Sequence, residues 1–263
     1  VTHDMRLCLV DWLVDIAEEF KLQRATLFLA VRLLDRTLDL LSTRREKLQL
    51  LGCACVLIAA KLEETYTPSV TEMADISANT YDRVEFVACE MQVARALGFR
   101  LYGPTCCHFL GHFLRASALD NLPRTTVSAS SCGDGGGGGG VLGAVVERNP
   151  KYSSLAWYLS ELAMLDYRFV SARPSLVAAA VMNLTRQTLL SPSTPDAVVW
   201  PPSLAYYTRY SCAEMAPVVR LLRECHFKAW NSSKYVAVRT KYQRPERQGV
   251  SENVCCIPAE ALR

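Results

Sequence analysis

Strand-like alternation is missing from this 263-residue chain, and so is any apolar run of the roughly 20 residues that a membrane span needs. No signal peptide precedes the first helical pattern. No two cysteines stand as CxxC, which excludes a zinc ribbon. Charge of one sign is also scarce. With 29 Lys and Arg against 26 Asp and Glu the net charge is +3, too little to argue for a nucleic acid or an acidic membrane as partner. The 11 cysteines are odd in number, and Cys8, Cys53, Cys55 and Cys89 lie in apolar helical patterns. They read as buried free thiols of a reducing compartment, not as a disulfide framework. Cys107, His108 and His112 approach ligand spacing, but no second ligand pair accompanies them, so no metal and no cofactor is assigned. No nucleophile, base and orienting group can be assembled, so the chain does not read as an enzyme.

What is present is helix. The central stretch is LQLLGCACVLIAAKLEE, Leu48–Glu64, apolar on every side until Lys61. Such a helix is buried by other helices, and Gly52, Ala54, Ala59 and Ala60 let them approach closely. Around it we expect a helix from Thr2 or Asp4 to about Phe20, with Leu9, Leu13, Ile16 and Phe20 as one stripe. Met5, Cys8, Leu9 and Trp12 form a second stripe, with Asp15 beside it. Two stripes are more than one core contact needs: the helix is wedged between two others, or the second stripe is an exposed binding patch. A helix over 25–41 follows, and Arg6 and Asp35 fall where an ion pair would lock the two helices. After the Tyr66-Thr-Pro-Ser69 stop, Arg83–Leu97 is amphipathic, with Val84, Val87, Met91 and Ala94 on one face and Glu90 at its border.

The second half repeats the plan. Helices are expected over 105–117, 153–170 and 174–190, the last holding the small, apolar Leu176–Val181 run. Trp200-Pro-Pro-Ser-Leu204 has the order of Tyr66-Thr-Pro-Ser-Val70, and a helix over 212–230 closes the block, so the order points to an internal duplication. The domains are 1–101 and 102–250, with a tail over 251–263. A Gly-rich insertion at about 120–150, centred on Ser128–Gly143, has no phosphate-loop spacing and reads as disordered. Arg239, Lys241, Arg244 and Arg247 read as a solvated basic tail. Val1 in place of Met points to a piece of a longer protein.

The segments MRLCLVDWLVD (5–15), DRTLD (35–39), KLQLLG (47–52), AAKLEE (59–64) and ISANTYDR (76–83) resemble the cyclin box of mitotic cyclins. ELAMLDYRF (161–169), RPSLVAAA (173–180) and VRTKYQ (238–243) are similar to their C-terminal cyclin fold. LVDWLVDIAEEFKL with the RTKY ending leans to the A type; ELAMLDY also suits the B type. The resemblance implies an all-α pair of tandem five-helix cyclin folds and no chemistry of its own. It implies a heterodimer with a cyclin-dependent kinase, found in nucleus and cytoplasm, that controls cell-cycle progression.

Arg6, Asp35, Leu50, Lys61 and Glu90 match the family's signature positions. By that match Lys61 and Glu90 would meet at the kinase-facing edge, with Ile58, Leu62, Phe99 and Leu101 as its apolar part. Met5, Cys8, Leu9, Trp12, Asp15, Arg45 and Gln49 match the patch that docks Arg-x-Leu substrates and inhibitors. Cys8 replaces a larger aliphatic residue, Asp15 is shorter than the usual Glu, and Leu62 stands where an aromatic is common. The helix that precedes the box in the family is missing here. Arg6-x-x-Leu9, Arg24-x-x-Leu27 and Arg45-x-x-Leu48 fit a minimal destruction box but fall in helical segments, so they read as structure. A DNA-bound general transcription factor with two cyclin folds is the alternative; it calls for a basic face that the mixed charges here do not supply.

Overall fold

A computed structural model describes residues 1–120, 150–190, 199–231 and 234–254. Every regular element among them is helical, and none of these helices is long and apolar enough to cross a membrane. The Gly-rich insertion lies outside the described residues, as does the chain beyond Val254.

The first fold comprises α1 (His3–Glu19), α2 (Arg24–Leu40), α3 (Leu48–Glu63), α4 (Val70–Ile76) and α5 (Arg83–Ala96). Helix α3 is the rod around which it is built, packed by α1, α2 and α5. Leu48 and the whole run Leu50–Ala60 are buried. The approach of α1 is close because Gly52 has no side chain. A Cβ there would stand 3.0 Å from Leu9 Cδ1 and 3.3 Å from Leu13 Cδ2. The shorter helices start where side chains satisfy free amides. Ser69 with Glu72, and Asp82 with Glu85, form capping boxes for α4 and α5.

The second fold comprises α6 (Cys106–Asp120), α7 (Pro150–Leu165), α8 (Pro174–Leu189), α9 (Pro202–Thr208) and α10 (Cys212–Asn231). Here α8 is the buried rod, packed by α6, α7 and α10. Ser211 and Glu214 start α10 with the same reciprocal bonds that start α5. His108 Nδ1 accepts from the Thr105 amide at 3.2 Å, at the start of α6.

Three expectations fail. Most of the apolar face of α5 is not buried: Val84, Val87 and Met91 face solvent, and of that face only Ala94 enters the core, with Phe86, Val93 and Leu97. Nor is the basic end of the chain a solvated tail. Residues Val236–Gln243 form α11, followed by the short α12 (Val250–Asn253). Lys241 of α11 is buried between carboxylates, because the acids that neutralise it lie far away in sequence, at Glu18 and Glu161. Cys8, placed among buried thiols by pattern, is exposed.

His226 of α10 is buried edge-on against Tyr158, with ring centroids 5.7 Å apart, and neither of its nitrogens has a hydrogen-bond partner among the described residues. Burial disfavours the imidazolium and lowers its pKa to about 4. The unfolded chain takes up that proton near pH 6.5. The folded value lies below the unfolded one, so stability is full above pH 6.5 and declines as pH falls toward 4, by about 3 kcal/mol in all. His226→Phe is expected to flatten this decline. Urea midpoints at pH 7.5 and pH 5 check it, and an unchanged difference between the two would contradict it.

Candidate functional site: a charged pair on an apolar rim, and a patch on α1

Lys61 stands in the last turn of α3, where the apolar run stops, and Glu90 stands midway along α5. Packing of α5 on α3 brings the two together. Lys61 Nζ donates to Glu90 Oε1 at 2.6 Å, with the Lys side chain 52% exposed and the Glu side chain 13% exposed. One ammonium proton is used on Glu90, and an ammonium carries three donors. Apolar side chains stand around the pair. Ile58 is buried beneath it, and Leu62, Val87 and Met91 are exposed.

The end of α5 adds Phe99. Gly98 and Phe99 both take positive φ, +57°, and the Phe99 amide donates to the Ala94 carbonyl at 2.8 Å while the Gly98 amide donates to Arg95 at 3.0 Å. This is a Schellman closure, in which glycine serves at the first left-handed position. A left-handed Phe is strained, and its ring is 65% exposed. Leu101 follows, half-buried against the core. Sequence reasoning missed Val87 and Met91 as surface groups. Their regular spacing suited a core stripe, whereas the true stripe is interrupted by Glu90.

The residues matched to the family's docking patch lie along α1 and at the start of α3. Leu9 is buried against Gly52 and forms a floor, Met5 and Trp12 are half-buried, and Cys8 is exposed. Asp15 and Arg45 are exposed and Gln49 is half-buried; no side chain of the three makes a hydrogen bond or ion pair with the described residues. Partial burial and then the charge of Glu18 raise the Asp15 pKa.

Arg6 and Asp35 form a two-pronged pair, Nε to Oδ1 at 2.6 Å and NH2 to Oδ2 at 2.8 Å. The same guanidinium crosses to the second fold. NH1 donates to the Leu165 carbonyl at 2.9 Å and NH2 to that of Met164 at 3.1 Å, at the end of α7. It therefore ties α1, α2 and α7 together, a cross-fold role that spacing within the first block could not reveal.

Two family models match the chain: "Cyclin, N-terminal domain" over residues 1–102 and "Cyclin, C-terminal domain" over 104–255. Together with the duplicated all-helical fold they place this chain in the cyclin family. Among its most similar relatives are A-type cyclins. Cyclin-A2-2 of Arabidopsis thaliana is 35% identical over 96% of this chain and 51% of its own length. Cyclin-A1-1 of Oryza sativa subsp. japonica is 35% identical over all of this chain and 46% of its own length. The chain thus spans about half the length of the curated relatives it matches. A viral cyclin from herpesvirus saimiri shares the fold, with a TM-score of 0.63 over 86% of this chain and 85% of that one, at 21% identity. Nothing in these comparisons supports the transcription-factor alternative.

Proposed function

We propose that this chain is the non-catalytic, activating subunit of a cyclin-dependent protein kinase, and that it recruits Arg-x-Leu substrates to that kinase. The observation that carries the reading is the Lys61–Glu90 pair set among exposed apolar groups at the rim shared by α3 and α5. An ion pair whose helix neighbours Leu62, Val87 and Met91 are exposed, with exposed Phe99 past the end of the same α5, has the composition of an interface core: apolar contact area with a few fixed polar groups.

The rim receives the end of the kinase's mobile αC helix. Lys61 donates to the orphan main-chain carbonyls of that helix end, which no intrahelical amide satisfies. Glu90 holds Lys61 in place and accepts from main-chain donors. The apolar groups bury the helix face and favour its inward position, in which the helix's Glu pairs with the ATP-binding Lys. Activation is then a shift of population. Moving a kinase from 1% to 99% competent needs the competent form to be bound about 5.5 kcal/mol more tightly. Burying four large apolar side chains, at about 1.5–3 kcal/mol each, is enough.

On α1 the free Asp15 carboxylate suits the substrate's basic residue, while Trp12 and Leu9 suit its Leu. Trp12→Ala is expected to lower kcat/KM about ten-fold for an Arg-x-Leu substrate relative to a short peptide without that motif, the loss of one large apolar contact. Paired assays of the reconstituted kinase check it. An equal drop on both substrates would make the patch part of the core.

A further inference from the structure

Asp4, Asp11 and Glu18 recur every seven residues on α1, two turns apart and so on one line along the helix. Each holds a successive piece of the chain's C-terminal segment. Lys234 Nζ donates to Asp4 Oδ1 at 3.0 Å. The amides of Ala237 and Val238 donate to the Asp11 carboxylate at 3.1 and 3.4 Å. Lys241 Nζ lies 3.2 Å from Glu18 Oε1, and Arg244 NH1 lies 3.1 Å from Oε2. Helix α11 has no side-chain cap of its own at Tyr235, so Asp11 supplies that cap from the other end of the sequence. On its far side α11 is gripped by α7. Lys241 Nζ donates to both oxygens of Glu161, at 2.9 and 3.1 Å, and the Tyr242 hydroxyl donates to Oε1 at 2.8 Å. Glu161 is fully buried and Lys241 is 4% exposed.

At about 100° per residue, the acidic line and the line Met5–Cys8–Trp12–Asp15 lie roughly a quarter-turn apart on α1. The helix that presents the docking patch is thus held, on its adjacent face, by the C-terminal helix. We propose that α11 is a brace that sets the placement of α1 and with it the docking patch, with Asp11 and Lys241 as positioning residues for Arg-x-Leu substrates. This rests on the docking role proposed above. The brace touches α1, α7 and α12, whereas the Lys61–Glu90 rim is built on α3 and α5. Loosening it should therefore separate docking from activation.

The test uses the reconstituted kinase complex with Asp11→Ala, Asp11→Asn and the neutral pair Glu161→Gln/Lys241→Met. In that pair Gln still accepts from the Tyr242 hydroxyl, so no buried charge is stranded. The expected result is a rise of five-fold or more in KM for an Arg-x-Leu substrate, with kcat and the activity on a motif-free peptide unchanged. Amide exchange over residues 5–15 should become faster. Adding Trp12→Ala to Asp11→Ala should raise KM by less than the product of the two single effects. Unchanged exchange in α1, an unchanged KM, or equal loss on both substrates would overturn the brace. If Trp12→Ala alone leaves the Arg-x-Leu substrate unaffected while α1 exchange rises in the Asp11 variants, the docking role is what fails, and the positioning assignment falls with it. Should the double variant not fold, the Asp11→Asn chain, which keeps one acceptor for the α11 amides, carries the same readouts.

Discussion

Lys61→Ala and Glu90→Ala are each expected to leave a folded chain that activates its kinase roughly 30-fold less or worse, a loss of about 2 kcal/mol or more. The two halves of this expectation have separate physical grounds. In the isolated chain the Lys side chain is half exposed, and an exposed ion pair is worth at most about 1 kcal/mol, so the fold survives its removal. In the proposed complex the kinase covers the same pair. Deleting Lys61 leaves Glu90 and the carbonyls of the kinase helix unsatisfied in a dry interface, and deleting Glu90 leaves Lys61 without the group that aims it. Circular dichroism together with histone phosphorylation by the mixed proteins checks both halves. Full activity in both variants would remove the rim from the mechanism. Unfolding of either would make the pair structural.

The second large effect concerns stability. Arg6→Ala is expected to cost about 3–5 kcal/mol, because it strands the Asp35 carboxylate in a nearly buried site and frees the Leu165 and Met164 carbonyls. For a chain of this size that is a fall in melting temperature of roughly 6–20 °C. Arg6→Lys should restore only part of it. Three nitrogens of one planar group make the four bonds, and a single ammonium cannot span both the carboxylate and the two carbonyls of α7. Thermal melts of the three chains check this. A shift of only a degree or two for Arg6→Ala would mean that the contact between the folds is held elsewhere.

Much of the fold was legible before any coordinates, and the reason is local. The continuous apolar run of α3 can only be a buried rod, and Ser69, Asp82 and Ser211 with their following glutamates announce helix starts through bonds three residues long. The Arg6–Asp35 pair was also readable, from two charges on facing apolar stripes. What was not readable depends on distance along the chain. Lys241 looks like a surface charge until α1 and α7 bring Glu18 and Glu161 to it. Asp11 looks like an acid on an ordinary helix until the amides of residues 237 and 238 arrive. Val84, Val87 and Met91 misled for a different reason. Helical periodicity reports that an apolar face exists, not whether this chain or another covers it. Val84 is 74% exposed, and the described residues leave it, Val87 and Met91 uncovered.

Stepwise addition of this chain to a purified, inactive cyclin-dependent kinase, with phosphorylation of a motif-free peptide as the readout, bears on all of this at once. Activity should climb in proportion to the amount added and level off at one molecule per kinase. The Lys61→Ala/Glu90→Ala chain should give a flat line at the same concentrations. Activity that stays at the kinase's own baseline at every ratio, or that rises equally with the doubly substituted chain, would contradict the proposal that the rim of α3 and α5 holds the kinase in its competent shape.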